Sequence, residues 1–338
     1  MQKQHPHIIA EDTPPASPES RPESTVTHEV LNLVAANDEF KGRWESLGQL
    51  LPVRLVALQR VAAMESAAAT ARLAGFRCTD RRVGEYLAGK SVKQADLSLN
   101  VRLIVKGYNN VLKLVHSSYP QIAFIENHVR QLHDLMLGNT RTVNPQEPTE
   151  LSLDAAQLIK DTDQLLREGP LHPLLVIADF SCRFRSIKPF SEGNNRLTWL
   201  LSRLLLLRSG YSFVSYCSLE HFIEKTLPEY EKLSGNGDQP NDHHWLVMFL
   251  KAMSGARADL TARIEHEKEV LKLANPYREI IRVVQEHGRS TISRIMESTG
   301  VNRNTLKIRL RKLVGEKYLV QHGSGKGTYY TIQGLHLQ

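Results

Sequence analysis

Eleven consecutive residues, Leu197 to Leu207, contain seven leucines and a tryptophan around a single arginine, Arg203. A helix that is apolar all round its circumference has to be buried. The segment is too short to span a bilayer and it holds a charge, so it reads as the central helix of a helical core. Just before it stands Glu192-Gly193-Asn194-Asn195, followed by Arg196. A turn opening a helix offers free backbone N–H groups and the positive end of the helix dipole, a combination that suits an anion, phosphate above all. Gly193, Asn194, Asn195 and Arg196 are therefore the expected phosphate cradle, with Arg196 able to fork onto phosphate oxygens. Glu192 is the expected magnesium ligand, because Mg²⁺ takes one or two carboxylates together with phosphate oxygens. The chemistry points to a metal–nucleotide site.

The whole stretch, Lys188-Pro-Phe-Ser-Glu-Gly-Asn-Asn-Arg196, resembles the signature of Fic (fido) domains, His-x-Phe-x-(Asp/Glu)-Gly-Asn-Gly-Arg-x-x-Arg. Phe190, Glu192, Gly193, Asn194 and Arg196 match it. Lys188 stands where the family has its histidine, Asn195 where it has the second glycine, and Trp199 where it has the final arginine. Flanking similarity extends the resemblance over roughly residues 30–265. It implies an all-helical Fic core, with ATP and Mg²⁺ as ligands and transfer of AMP to a hydroxyl as the reaction. In that reaction the signature histidine is the base. The family also has a regulatory helix whose glutamate pairs with the final arginine. Its best counterpart here is Thr70-Ala-Arg-Leu-Ala74-Gly75, with Ala74 at the glutamate position. Both ends of that ion pair are replaced, which is physically consistent, since losing one end alone leaves an unpaired charge. Ala67–Ala71 reads equally well as a tight helix-packing face. Where the family has a flap that docks a protein target, this chain has only Thr140–Thr149 between two helices. That argues against a protein side chain as substrate. At Asn195, asparagine is the least costly replacement for glycine if the backbone there is left-handed.

The rest of the chain reads as mainly α. Its 338 residues allow one full core and a second small domain. Residues 1–28 are rich in Pro, Ser, Glu and Thr and are expected to be disordered. Residues 29–270 form the Fic-like helical domain. Helices are expected over His28–Ala74, Arg82–Leu87, Val101–Val115, Ile122–Leu137, 219–234 and 244–272, with His243 and His244 in the loop between the last two. Ala256–Leu273 reads as a solvated bridge. Three separated cysteines, Cys78, Cys182 and Cys217, without metal spacing, suit a reducing cytoplasm. No signal peptide or membrane partner is expected.

Charge sets the C-terminal end apart. Asn275–Gln338 holds 11 Lys/Arg and 4 Asp/Glu, a net of 11 − 4 = +7, which equals the +7 of the whole chain. Such concentration is the footprint of a nucleic-acid binder. Residues 275–334 read as a winged helix-turn-helix. Ile280, Ile281 and Val284 mark its first helix, Ser290–Met296 its second, and Arg303–Val314 its third. Asn302 caps that third helix, and Gln321–Tyr330 forms a hairpin. Arg303, Asn304, Lys307 and Arg311 face outward, with Lys326 at the wing tip. Arg303 and Asn304 are the expected base readers of double-stranded DNA, while Lys307, Arg311 and Lys326 hold phosphate. Winged helices also dock proteins. One such module buries little surface, so tight specific binding would take a homodimer.

Three functional readings follow. A lysine is protonated at neutral pH unless burial strips it of water, and phosphate favours the ammonium. Lys188 is thus a poor base and a good phosphate ligand. The leading reading is a Fic-family pseudoenzyme that binds a nucleotide or phosphate and regulates through DNA. The second is an active nucleotidyltransferase with Lys188 in a changed role, attacking the α-phosphate itself. The third is a relic fold that binds nothing.

Overall fold

Helical periodicity governs almost every segment of the computed structural model, which describes residues 27–48, 52–90, 96–138, 151–234 and 242–332. Ten helices build the larger part: α1 (His28–Gly48), α2 (Pro52–Leu73), α3 (Asp80–Leu87), α4 (Leu99–Ser118), α5 (Glu126–Leu137), α6 (Leu153–Glu168), α7 (Pro173–Ile187), α8 (Asn194–Arg208), α9 (Leu219–Ser234) and α10 (Asp242–Lys272). All of Leu197–Leu207 in α8 is buried, as an all-round apolar helix demands. Around it pack α7, α5 and α4. Ala67, Ala68, Ala69 and Ala71 are fully buried, so α2 meets its neighbours through small side chains. The proposed tail, over residues 1–26, and the Thr140–Thr149 connection lie outside the described residues. No helix among the described residues is long and apolar enough to cross a membrane.

Two anchoring contacts set the entry to α7. His172 is its N-cap, with Nδ1 accepting from the Leu174 N–H at 3.3 Å. Its Nε2 meets Asp38 Oδ2 of α1 at 2.8 Å. An acceptor at Nδ1 and a carboxylate at Nε2 require the Nε2–H tautomer. The second approach is between α4 and α5: a Cβ on Gly107 would stand 2.0 Å from the Met136 carbonyl oxygen. Only glycine lets α5 sit this close, and the end of α5 supports the loop described below.

Inside the core lies a charged cluster that hydropathy alone conceals. Arg203 Nη2 meets Glu220 Oε2 at 2.6 Å with both side chains essentially inaccessible. The Tyr108 hydroxyl donates to Glu220 Oε1 at 2.6 Å. His116 of α4 feels the same cluster. Burial first, and then the Arg203 charge, draw its imidazole down to about 3 from an ordinary 6.5. Between those values the unfolded chain binds a proton that the folded chain refuses. Stability should therefore fall as pH drops from 6.5 toward about 3, by at most about 1.4 kcal/mol per pH unit. The residue as a whole is partly exposed, which narrows the pH window of this loss. Urea unfolding of His116→Gln across this range should show a flatter pH dependence; an unchanged slope contradicts the assignment.

The structure moves several expected boundaries. Helix α5 starts at Glu126 rather than Ile122. His243 and His244 lie in the first turn of α10, not in a loop. The expected solvated bridge is amphipathic instead: Ala256, Leu260 and Ile264 are buried, and Arg263 forks onto Glu65 at 2.8 and 3.0 Å. Counting charges missed the apolar stripe between them.

A second hydrophobic cluster closes the chain. It gathers Val270 at the end of α10 with Ile280, Ile281, Val283 and Val284 of α11 (Asn275–His287), Ile295 of α12 (Ile292–Thr299) and Leu306, Leu310 and Leu313 of α13 (Arg303–Gly315). Leu319 of β2 (Leu319–His322) and Tyr330 and Ile332 of β3 (Tyr329–Ile332) complete it. Ser290 and Thr291, expected in the second helix, form a short strand β1 instead. Thr291 then caps α12, accepting from the Arg294 N–H at 3.4 Å. The sheet runs β1-β3-β2, all antiparallel, with Ser290 opposite Tyr330 and Leu319 opposite Ile332.

Candidate functional site

Between α7 and α8 the chain turns through two left-handed residues, Lys188 (φ 49°) and Gly193 (φ 77°). Lys188 ends α7, its N–H reaching the Phe184 carbonyl at 3.3 Å. A lysine in this conformation carries a strain of about 1 kcal/mol or more that the surroundings must hold. Gly193 has a second reason to be glycine. A Cβ there would press on Met136 Cε at 3.1 Å and on Leu137 Cδ2 at 3.4 Å.

The loop is tied from within. Asn194 accepts from the Phe190 N–H at 3.0 Å and donates to the Phe190 carbonyl at 2.6 Å. Both polar ends of one amide are spent on holding the turn. Behind it, the His133 ring stacks on Phe190 with centroids 3.8 Å apart, and Nε2 meets the Glu192 carbonyl oxygen at 2.9 Å. Asn195, in contrast, sits in the first turn of α8 and is not among the left-handed residues. The expectation attached to a left-handed backbone there does not apply; Gly193 and Lys188 take that conformation instead.

The turn opens onto a cavity of about 300 Å³. Lys188, Ser191, Glu192, Gly193, Asn194, Asn195 and Arg196 line it on one side. Across it stand Thr70, Leu73 and Ala74 from the end of α2, with Trp199 from α8. The positions matched by resemblance to an inhibitory glutamate and its arginine, Ala74 and Trp199, thus face one space. Trp199 is 2% exposed and stacks on Trp245 of α10, 5.6 Å between centroids and 9° between planes. Trp245 donates to the Ser181 hydroxyl at 2.8 Å, which fixes the pair.

Charge in the cavity is mostly positive. Burial lowers the Arg196 guanidinium from its ordinary value, with the Glu192 carboxylate opposing that shift. Lys188 is exposed and its ammonium makes no ion pair with the described residues. Glu192 is the single carboxylate among the described residues of the lining. One carboxylate suits a magnesium ion carried in by a di- or triphosphate, which brings its own oxygens, better than a resident ion. Among the described residues there is also no cluster of three or more metal-ligating side chains. Among the described residues no imidazole or thiol lines the cavity.

At the other end of the chain, Arg303, Asn304, Lys307 and Arg311 are all exposed on α13. Asn302 caps that helix, accepting from the Thr305 N–H at 2.9 Å. Arg303, Lys307 and Arg311 form no ion pair with the described residues, whereas Arg282 on α11 is shared between Glu279 and Glu286. The backbone of Lys326 lies in the turn joining β2 and β3, and its side chain falls outside the described ones. Sequence reasoning missed a stack beside that turn: Arg289 lies 3.8 Å over the Tyr329 ring, and His322 stacks on the same ring with centroids 4.7 Å apart. It also missed the roles of His133 and Trp245, for which no local pattern gives a signal.

Comparison with known proteins agrees with this geometry. Residues 121–206 match the model of the Fic/DOC family. A solved Fic family protein from Desulfovibrio desulfuricans superposes with a TM-score of 0.60 at 19% identity, covering 93% of this chain and 98% of that one. A Fic domain containing signaling protein from Bacteroides thetaiotaomicron superposes with a TM-score of 0.51 at 18% identity, covering 70% of this chain and 97% of that one. At such identities the likeness is one of fold.

Proposed function

We propose that the Fic/DOC domain of this chain binds the phosphates of a nucleotide, with ATP–Mg²⁺ the leading ligand, and does not transfer them. We propose further that a C-terminal winged helix carries the outcome to double-stranded DNA. The observation that carries the reading is the lining of the cavity: a helix N-terminus, Lys188 and Arg196 converge there, with no imidazole among the described lining residues. His133, which backs the loop, is buried and committed to Phe190 and the Glu192 carbonyl. Partial burial, which lowers the affinity of Arg196 for its proton, leaves a half-buried cation that an anion would relieve.

Residue roles follow from this. The N–H groups at Gly193–Asn195 and the Arg196 fork hold phosphate. Lys188 adds a point charge at the rim. Glu192 would hold the metal ion, whose chemistry when bound is to neutralise phosphate oxygens. Trp199, backed by Trp245, lines the cavity where the family signature has an arginine. Helix α10 links the two ends physically. It supplies Trp245, which stacks behind the cavity residue Trp199, and Val270 to the C-terminal core.

Calorimetry with ATP–Mg²⁺, followed by intact mass measurement, tests the reading. A binding heat is expected, abolished in Arg196→Ala, with the protein mass unchanged. Gain of one AMP by the chain, or labelling of a target that is lost in Glu192→Ala, would establish transfer instead. Absence of heat with ATP, pyrophosphate and phosphate at millimolar concentration would establish a fold without a ligand.

A further inference from the structure

Helix α13 buries Leu306, Leu310 and Leu313, yet a fourth large apolar side chain on it points the other way. Ile308 is 66% exposed. It shares a face with Asn304, Lys307 and Arg311 at the i, i+3, i+4, i+7 spacing that puts residues on one side of a helix. An apolar side chain therefore stands in the middle of a face whose cations have no acidic partner among the described residues. An exposed isoleucine needs no explanation by itself. Its position does, because the charges around it select a polyanion, and a purely electrostatic face has no use for a branched hydrocarbon at its centre.

Duplex DNA supplies both kinds of contact. In the major groove the apolar feature among the base edges is the thymine C5-methyl group, and apolar side chains recognise it by contact. Asparagine pairs bidentately with the N6 and N7 edge of adenine, and Asn304 lies one turn before Ile308. We propose that Ile308 is a specificity-determining residue that packs on a thymine methyl, within a recognised step rich in A·T pairs. The inference rests on the DNA-binding reading of α13 and adds to it the base and the atom that is read.

Uracil differs from thymine only by that methyl, so the test removes one group from the DNA. The full chain selects duplexes from a randomised library, and the selected duplex is then made with each thymine in turn replaced by deoxyuridine. At one position the substitution should weaken wild-type binding about fourfold, the fold-change equivalent to one buried methyl group. Ile308→Ala should bind the thymine and uracil duplexes alike while keeping the salt dependence of the wild type. The exposed site and the high helix propensity of alanine keep this variant folded. Binding that stays sequence-selective but indifferent to every uracil substitution overturns the assignment and leaves the DNA reading intact. A discrimination that persists in Ile308→Ala overturns it too. If no duplex is bound in a salt-sensitive way, α13 is a protein-docking helix and both readings fall together.

Discussion

Glu220→Ala is expected to lower the free energy of unfolding by about 3–5 kcal/mol, the scale for breaking a buried ion pair from one side. Arg203 and Glu220 are 1% and 0% exposed, so neither charge has water to fall back on. Removing the carboxylate leaves the guanidinium with the Cys217 carbonyl at 3.2 Å, the Val214 carbonyl and the Ser66 hydroxyl. Neutral oxygens do not compensate a full buried charge. The Tyr108 hydroxyl loses its acceptor in the same step. A double replacement, Arg203→Met with Glu220→Leu, should cost much less, since it removes the buried charges together. Urea titration of the three proteins decides the matter; a single variant within about 1 kcal/mol of wild type contradicts the assignment.

The same pair sets a pH dependence whose sign can be worked out. Burial by itself raises the Glu220 carboxylate, but Arg203 and the hydrogen bonds to it bring the net value below the ordinary one. A depressed folded value contributes stability that is present above the unfolded carboxylate range and is lost as pH falls through the folded value. Glu220 therefore weakens the fold at lower pH than His116 does, and both act in the same direction.

Affinity of the full chain for duplex DNA should fall about 40-fold between about 50 and about 200 mM salt. Three phosphate contacts, from Lys307, Arg311 and Lys326, correspond to a slope of about −2.7 in log affinity against log salt. Lys307→Ala should weaken binding to all sequences alike and flatten the slope by about one, whereas Arg303→Ala should relax sequence preference. Fluorescence anisotropy at several salt concentrations reads both effects. Binding indifferent to salt would show that these exposed cations are ordinary solvated charges.

Much of this arrangement was legible in the residues. An all-round apolar run with a glycine turn before it could only become a buried helix. Leu306, Leu310 and Leu313 chose the buried face of α13, and Asn302 marked its start. Net charge located the basic end of the chain. These readings succeeded because periodicity, capping and charge are local properties that the chain carries before it folds.

The tertiary structure alone decided what each buried face meets. Nothing near Arg203 announces that its partner is Glu220, seventeen positions on, or that Trp199 will stack on Trp245 of another helix. His133 acquires its place behind the signature turn only because Gly107 lets α5 close on α4. Ala256–Leu273 was misread for the same reason: its charges are visible in order along the chain, while the helices that bury Leu260 and Ile264 are not. A sequence specifies which side of a helix avoids water, but the identity of the neighbour follows from how several helices fill one volume at close-packed density.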